Sequence, residues 1–266
     1  MKVAAILCAR NEELHIESSL RDLIDEGLEV VLIDHASTDQ TVSLARKFLG
    51  RGLLRIEPLA WTGEFSLTQQ LEAKRNVARR LDHEWIVHVD ADEWLTTSVP
   101  GQTLAEGLQH ADRSGFNCVH FKEFVFIPSP GENLAGPSYR QHSLRYYHFQ
   151  PRYPFLVRAW KNDGTLDNRE HAGHLLSGMV RMQPLDFQLR HYMFLSQEHA
   201  RAKTVRRPFA RTEVEKGWHS DKILATSENL EFPGDSRIHT LRDWKSKRFD
   251  ASRPQRSHYW QWPACG

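Results

Sequence analysis

Only three cysteines occur in the 266 residues, at 8, 118 and 265, far apart and odd in number. That excludes a disulfide-stapled scaffold and reads as free thiols in a reducing compartment. Cys8 and Cys118 sit in apolar runs and read as buried thiols. Nowhere is there a run of about 18 apolar residues, so no membrane-spanning helix is expected. The apolar start, Met1 to Cys8, gives way to Arg10-Asn11-Glu12-Glu13. It is too short for the core of a signal peptide, and a soluble, cytoplasmic chain is expected. Charge of one sign is lacking too: 35 Lys and Arg meet 34 Asp and Glu. A formal charge of +1 gives no general pull toward nucleic acid, and no nucleic-acid partner is expected. No internal repeat or low-complexity tract is visible. The first turn carries no Gly-x-Gly-x-x-Gly and no lysine in a glycine-rich loop. Those absences argue against a dinucleotide dehydrogenase and a P-loop NTPase.

What the chain does have is a regular first half. Hydrophobic residues make up 40% of it, enough for a sizeable core. Strand patterns at Val3–Cys8, Val30–Asp34, Leu53–Ile56 and Trp85–Val89 alternate with helical ones. Asn11 is placed to cap the first helix, which stops at Gly27. Ser37, with Gln40 as capping-box partner, is placed to cap the second. The third helix is predicted over Thr68–Leu81. Alternation of this kind predicts an α/β fold with a mostly parallel twisted sheet and helices on both faces. The second half reads less regularly. It offers a helix over Thr103–Asp112 and strands over Phe116–Ile127, Tyr146–Phe149, Phe155–Trp160, Val180–Pro184 and Phe187–Tyr192. A helix over Ser196–Arg207 follows, and Pro151 and Pro154 break the middle. The expected division is one domain over 1–215, with a nucleotide-binding half of 1–95 and an acceptor-side half of 96–215. A helical or irregular C-terminal extension covers 216–266.

The most informative stretch is the apolar strand Trp85–Val89 running into Asp90-Ala91-Asp92-Glu93. Two carboxylates at a strand end can converge where the chain turns. They then grip a hard divalent cation, which in turn holds a diphosphate, the chemistry of a nucleotide-sugar site. The plainer reading of Asp-x-Asp is an Asp-rich turn. Parallel α/β sheets bind ligands outside the carboxyl ends of their strands. Two further groups lie at such ends: Ala9-Arg10-Asn11-Glu12, and Asp34 to Asp39. An acid at the end of the second strand suits a ribose hydroxyl or a base N–H, so Asp34 is a candidate nucleotide contact. Arg75 is a candidate for the donor's phosphate or base; its plainer reading is a solvent-facing helix arginine.

Taken together, these pieces resemble a family 2 glycosyltransferase of the GT-A type. The resemblance is carried by Ile6–Glu13, Val31–Thr41, Lys74-Arg75-Asn76 and Asp90-Ala91-Asp92-Glu93, in order and spacing, over residues 3 to about 95. One departure is His35, where many members carry a second acid. Further stretches, Phe155–Lys161, Ala172-Gly173-His174 and Leu189–Lys203, are similar to one bacterial subgroup. The resemblance implies transfer of a sugar from a nucleotide-diphosphate donor, with uridine the family's commonest base. The acceptor is a polysaccharide, a glycolipid or another carbohydrate or lipid-linked molecule. It also implies Mn²⁺ or Mg²⁺ on Asp92 and Asp90, with His174 as a third ligand or a diphosphate contact. Imidazole is an acceptable partner for Mn²⁺ beside carboxylates. Implied inversion at the anomeric carbon needs a carboxylate base, for which Glu170 and Asp167 are the candidates. A nucleotidyltransferase and a non-catalytic nucleotide-sugar-binding module remain the alternatives.

Beyond Ile238 the tail turns basic, and Trp244, Trp260 and Trp262 are interleaved with its charges. The preferred reading packs the tryptophans on the body and leaves the charges in water. Peripheral contact with an anionic acceptor or the inner membrane surface is the other.

Overall fold

The computed structural model describes residues 1–151, 155–205, 207–234 and 236–262. Pro154 and Cys265, both used above, lie outside them. The elements run β1 (Val3–Ala9), α1 (Ile16–Asp25), β2 (Glu29–Asp34), α2 (Thr41–Ala45), β3 (Leu53–Pro58), α3 (Leu67–Ala78), β4 (Trp85–Val89), β5 (Glu93–Thr96) and α4 (Leu104–Arg113). Next come β6 (Cys118–Phe126), α5 (Tyr139–His142), β7 (Arg145–Phe149), β8 (Val157–Lys161) and β9 (Phe187–His191). The chain ends with α6 (Gln197–Thr204), α7 (Arg211–Glu215), α8 (Ser220–Ile223) and β10 (His239–Thr240).

Two compact units interleave along the sequence. The first is built from 1–62, 67–121 and 155–189, the second from 63–66, 122–154 and 190–266. In the first unit the strands β3-β2-β1-β4 pair in parallel. Next to them β8 pairs antiparallel with β4, and β6 with β8. Successive side chains of a strand face opposite ways, and each central strand therefore feeds two cores. Val3, Ala5, Leu7 and Ala9 enter one, while Ile6 and Cys8 enter the other. Ile16, Leu20 and Leu23 of α1 and Leu104, Leu108 and Ala111 of α4 close the first core. Val77 and Ala78 of α3 close the second. The expected mostly parallel sheet with helices on both faces is present.

Three local expectations differ. The first helix begins at Ile16, not after Asn11, and its N-cap position is His15. Asn11 instead adopts a left-handed backbone with φ 54°. The second helix begins at Thr41, with Gln40 and not Ser37 preceding it. Val180–Pro184 is no strand; only Met182 forms an isolated bridge, to Cys118. Thr103, the first residue of the expected helix, is the N-cap of α4 and forms a capping box with Glu106.

In the second unit β7 pairs antiparallel with the end of β6 and with β10. Its core collects Val125, Tyr147, Phe194, Leu230, Phe232, Tyr259 and Trp260, with Trp262 packed against it. The buried Arg190 guanidinium donates to the carbonyls of Trp244 and Ser246, tying down the irregular tail.

Candidate functional site

Every site residue singled out from the sequence lies in the first unit. The carboxyl ends of β1, β2 and β4 are adjacent, because Ala9 is in register with Asp34 and Leu7 with Val89. The loops that follow β1 and β2 are stitched together. Thr38 N–H donates to Asn11 Oδ1 at 2.8 Å, and Asn11 N–H to Ser37 Oγ at 3.0 Å. Glu12 N–H reaches Thr41 Oγ1 at 2.8 Å. The two residues expected to cap helices therefore hold each other's loops. Arg10 donates to the carbonyls of His35 and Ala36, and its guanidinium lies 4.0 Å over the Trp61 ring. His35 is buried and edge-on to the same ring. Burial first, then the Arg10 charge, lowers the His35 pKa and keeps the imidazole neutral. Asp34 accepts the Ser37 N–H at 3.3 Å on both oxygens.

At the end of β4 the chain turns, with Glu93 N–H on the Asp90 carbonyl and Asp90 N–H on the Glu93 carboxylate. This reciprocal pair fixes Asp90 at the strand tip; Ala91 is buried behind it and Asp92 is 6% exposed. The Asp90 side chain stays open, at 45% exposure. Its Oδ1 receives the Lys74 ammonium at 3.2 Å, and its Oδ2 has Arg158 at 3.8 Å. Arg158 bonds more directly to Glu93. The protein packed behind Asp90 opposes ionisation. Lys74 and Arg158 outweigh that burial and the repulsion from Asp92, and the carboxyl is held well below its usual range. The same strand buries His88, whose Nδ1 accepts the Asn168 amide at 3.1 Å. Burial, then Lys74 and Arg158, keeps it neutral. Cys8 is pushed up to about 12 by burial, an inert thiol.

The remaining candidates are placed differently. Arg75 binds the Asp167 carboxylate. Arg169 binds Asp167 as well, through side chain and backbone. Burial raises the Asp167 carboxyl, but the two guanidiniums prevail and lower it. A carboxylate so held is a weak proton acceptor. Glu170 is exposed. His174 is half-buried, and its backbone is engaged, N–H on the His171 carbonyl and carbonyl on Val157 N–H. Among the described residues no three His, Cys, Asp or Glu side chains gather as a metal centre. His174 is thus not brought into one cluster with Asp90 and Asp92. The open Asp90 with its neighbour Asp92 still fits Mg²⁺ or Mn²⁺, ions often held by one or two carboxylates plus substrate phosphates.

Lys74, Arg158, Glu93 and Trp61 acquired no role from the sequence. For Lys74 a signal existed. Gln70, Lys74, Val77 and Ala78 form the buried stripe of α3, and a lysine in such a stripe needs a partner.

An uncharacterized glycosyltransferase of Rickettsia bellii is 28% identical over 95 residues, 36% of this chain and 29% of its own length. Another from Rickettsia felis is 30% identical over 98 residues, 36% of this chain and 30% of its own. The match thus spans less than a third of these curated relatives. Among solved structures, S. aureus TarS aligns over 89% of this chain and 44% of its own, with TM-score 0.46 and 17% identity. TarS 1-349 in complex with UDP-GlcNAc aligns over 86% and 72%, with TM-score 0.45 and 16% identity. The family model described as Glycosyl transferase family 2 matches residues 4–157, more than half of the 266 residues. The chain belongs to glycosyl transferase family 2.

Proposed function

We propose that the protein transfers a sugar from a nucleotide-diphosphate donor, with uridine as its base, to a carbohydrate or lipid-linked acceptor hydroxyl. The observation that carries this reading is the open Asp90 carboxylate, set beside Asp92 and next to the Asp34 and Arg10 strand ends. Asp34 suits a ribose hydroxyl or base N–H. Arg10 and Trp61 form the wall beside it. Asp90 and Asp92 would hold Mn²⁺ or Mg²⁺, which when bound supplies charge compensation for a departing diphosphate. Lys74, and at longer range Arg158, keep the Asp90 carboxylate ionised, and Glu93 keeps its backbone in place. Inversion requires a group to take the acceptor's proton. Of the two candidates Glu170 is favoured, because Asp167 is already bound by two arginines. His174 serves better as a neighbouring wall residue than as a ligand.

The test is release of nucleoside diphosphate from a panel of nucleotide sugars, with Mn²⁺ and with EDTA. Release that depends on the ion and on Asp90 supports the reading. No release, with no thermal shift from any nucleotide, rejects it in favour of a protein that binds something else.

A further inference from the structure

Lys74 lies in the middle of α3 with only 4% of its side chain exposed. Its ammonium is 3.3 Å from the Val89 carbonyl and 3.2 Å from Asp90 Oδ1. Lysine is seldom buried so deeply without a carboxylate beside it. Here the carboxylate is shared between two directions. One side of Asp90 faces the ammonium and the other is open, with 45% of the side chain exposed. Arg158 does not take over this duty, because Glu93, at 1% exposure, engages it more closely than Asp90 does. The cluster of Lys74, Arg158, Asp90, Asp92 and Glu93 carries two formal positive and three formal negative charges. Without the lysine its net charge would double from one negative to two.

We propose that Lys74 is the positioning residue of this site, a built-in counter-cation that shares Asp90 with an incoming divalent ion. Metal binding thereby comes to depend on the donor's diphosphate. The proposal rests on the sugar-transfer reading above. A fixed ammonium behind Asp90 repels a divalent ion that arrives alone. The same charge lessens repulsion between the acidic cluster and a diphosphate. One charge thus pushes two affinities in opposite directions, and the ion is retained when the diphosphate adds its own negative charge. Packing alone makes no such pair of opposite effects.

The experiment is calorimetry on the full chain, with wild type, Lys74→Met and Lys74→Gln. Mn²⁺ is titrated without nucleotide, and uridine diphosphate is titrated in EDTA. Removal of the charge is expected to tighten Mn²⁺ about tenfold and to weaken uridine diphosphate about tenfold, the scale of a close, partly screened charge pair. Both affinities moving the same way, or neither moving beyond about twofold, overturns the proposal. Loss of the fold in both variants, read by thermal melting and near-UV dichroism, also overturns it, since Lys74 would then be a purely structural cation. If the wild type binds no nucleotide with or without Mn²⁺, the sugar-transfer reading fails by itself. The Mn²⁺ titration still decides the role of Lys74: tightening supports it, and no change removes it.

Discussion

Two carboxylates of the first unit, Asp90 and Asp167, are each flanked by two cations, and they end in opposite conditions. Consecutive residues of α3 reach them, Lys74 to Asp90 and Arg75 to Asp167. Asp167 is enclosed, at 24% side-chain exposure, with Arg169 also bound to Glu72 on α3. Guanidinium forks match carboxylates well, so little acceptor capacity is left. Asp90 has a single close ammonium, a second cation at 3.8 Å and nearly twice the exposure. The number of nearby cations therefore says little about availability; the geometry of each pairing decides it. Asp167 reads as a clamp that fastens 167–169 to α3. Asp90 is kept charged and open, as the proposed ligand role requires.

Replacing Asp90 by Asn should have the largest effect. The amide oxygen still accepts from Lys74, but the buried ammonium loses its ionic partner, so the fold should survive with a lowered melting temperature. Turnover of the nucleotide sugar should fall at least about 100-fold in the presence of Mn²⁺. Unchanged turnover would erase the contrast between the two carboxylates. Asp167→Asn should do the reverse. Urea unfolding should show a loss of about 2 kcal/mol, because two charged hydrogen-bond donors lose their ionic partner. The specificity constant kcat/KM should remain within about fivefold. If kcat collapses while stability holds, Asp167 is the proton acceptor and Glu170 is not.

The sheet was legible in the sequence because its central strands, β1, β2 and β4, are buried on both faces. Trp85–Val89 shows as an unbroken apolar run, and the structure starts and ends the strand at those same residues. The helix starts were misplaced for a tertiary reason. Asn11 and Ser37 are good caps locally, but each is used by the other's loop, 26 residues away. Short elements such as β5 and α7 have too few residues to show a period. The chemical pairs were the least legible part. Arg75 and Asp167 are 92 residues apart, and neither one's surroundings names the other. The Asp90-Ala91-Asp92 turn was readable because its residues are consecutive. Its counter-cations come from α3 and β8, elements whose approach only the fold reveals.

A smaller effect should appear on acidification. Asp90 and Asp167 both have carboxyls held below the ordinary range, each against the opposing cost of burial. A lowered folded pKa gives stability that is complete above the unfolded value, about 4, and is lost as pH falls through the folded one. The urea midpoint should therefore decline from about pH 4 downward. The decline should be shallower in Asp167→Asn, which has one linked proton fewer. An identical slope in that variant would mean the Arg75 and Arg169 pairs contribute nothing in solution.

The smallest change is expected from His174→Ala. Its imidazole is not gathered with Asp90 and Asp92 into a metal centre, while its backbone is held by His171 and Val157. Those backbone bonds survive removal of the ring. Mn²⁺ affinity by calorimetry in the presence of uridine diphosphate should shift by less than about twofold, well short of the 10–100-fold that loss of a positioned ligand shell brings. A loss on that larger scale would mean that the 168–174 segment closes on the ion when the donor is present. The open side of Asp90 would then be completed by a third protein ligand, and the contrast with the enclosed Asp167 would not extend to the donor complex.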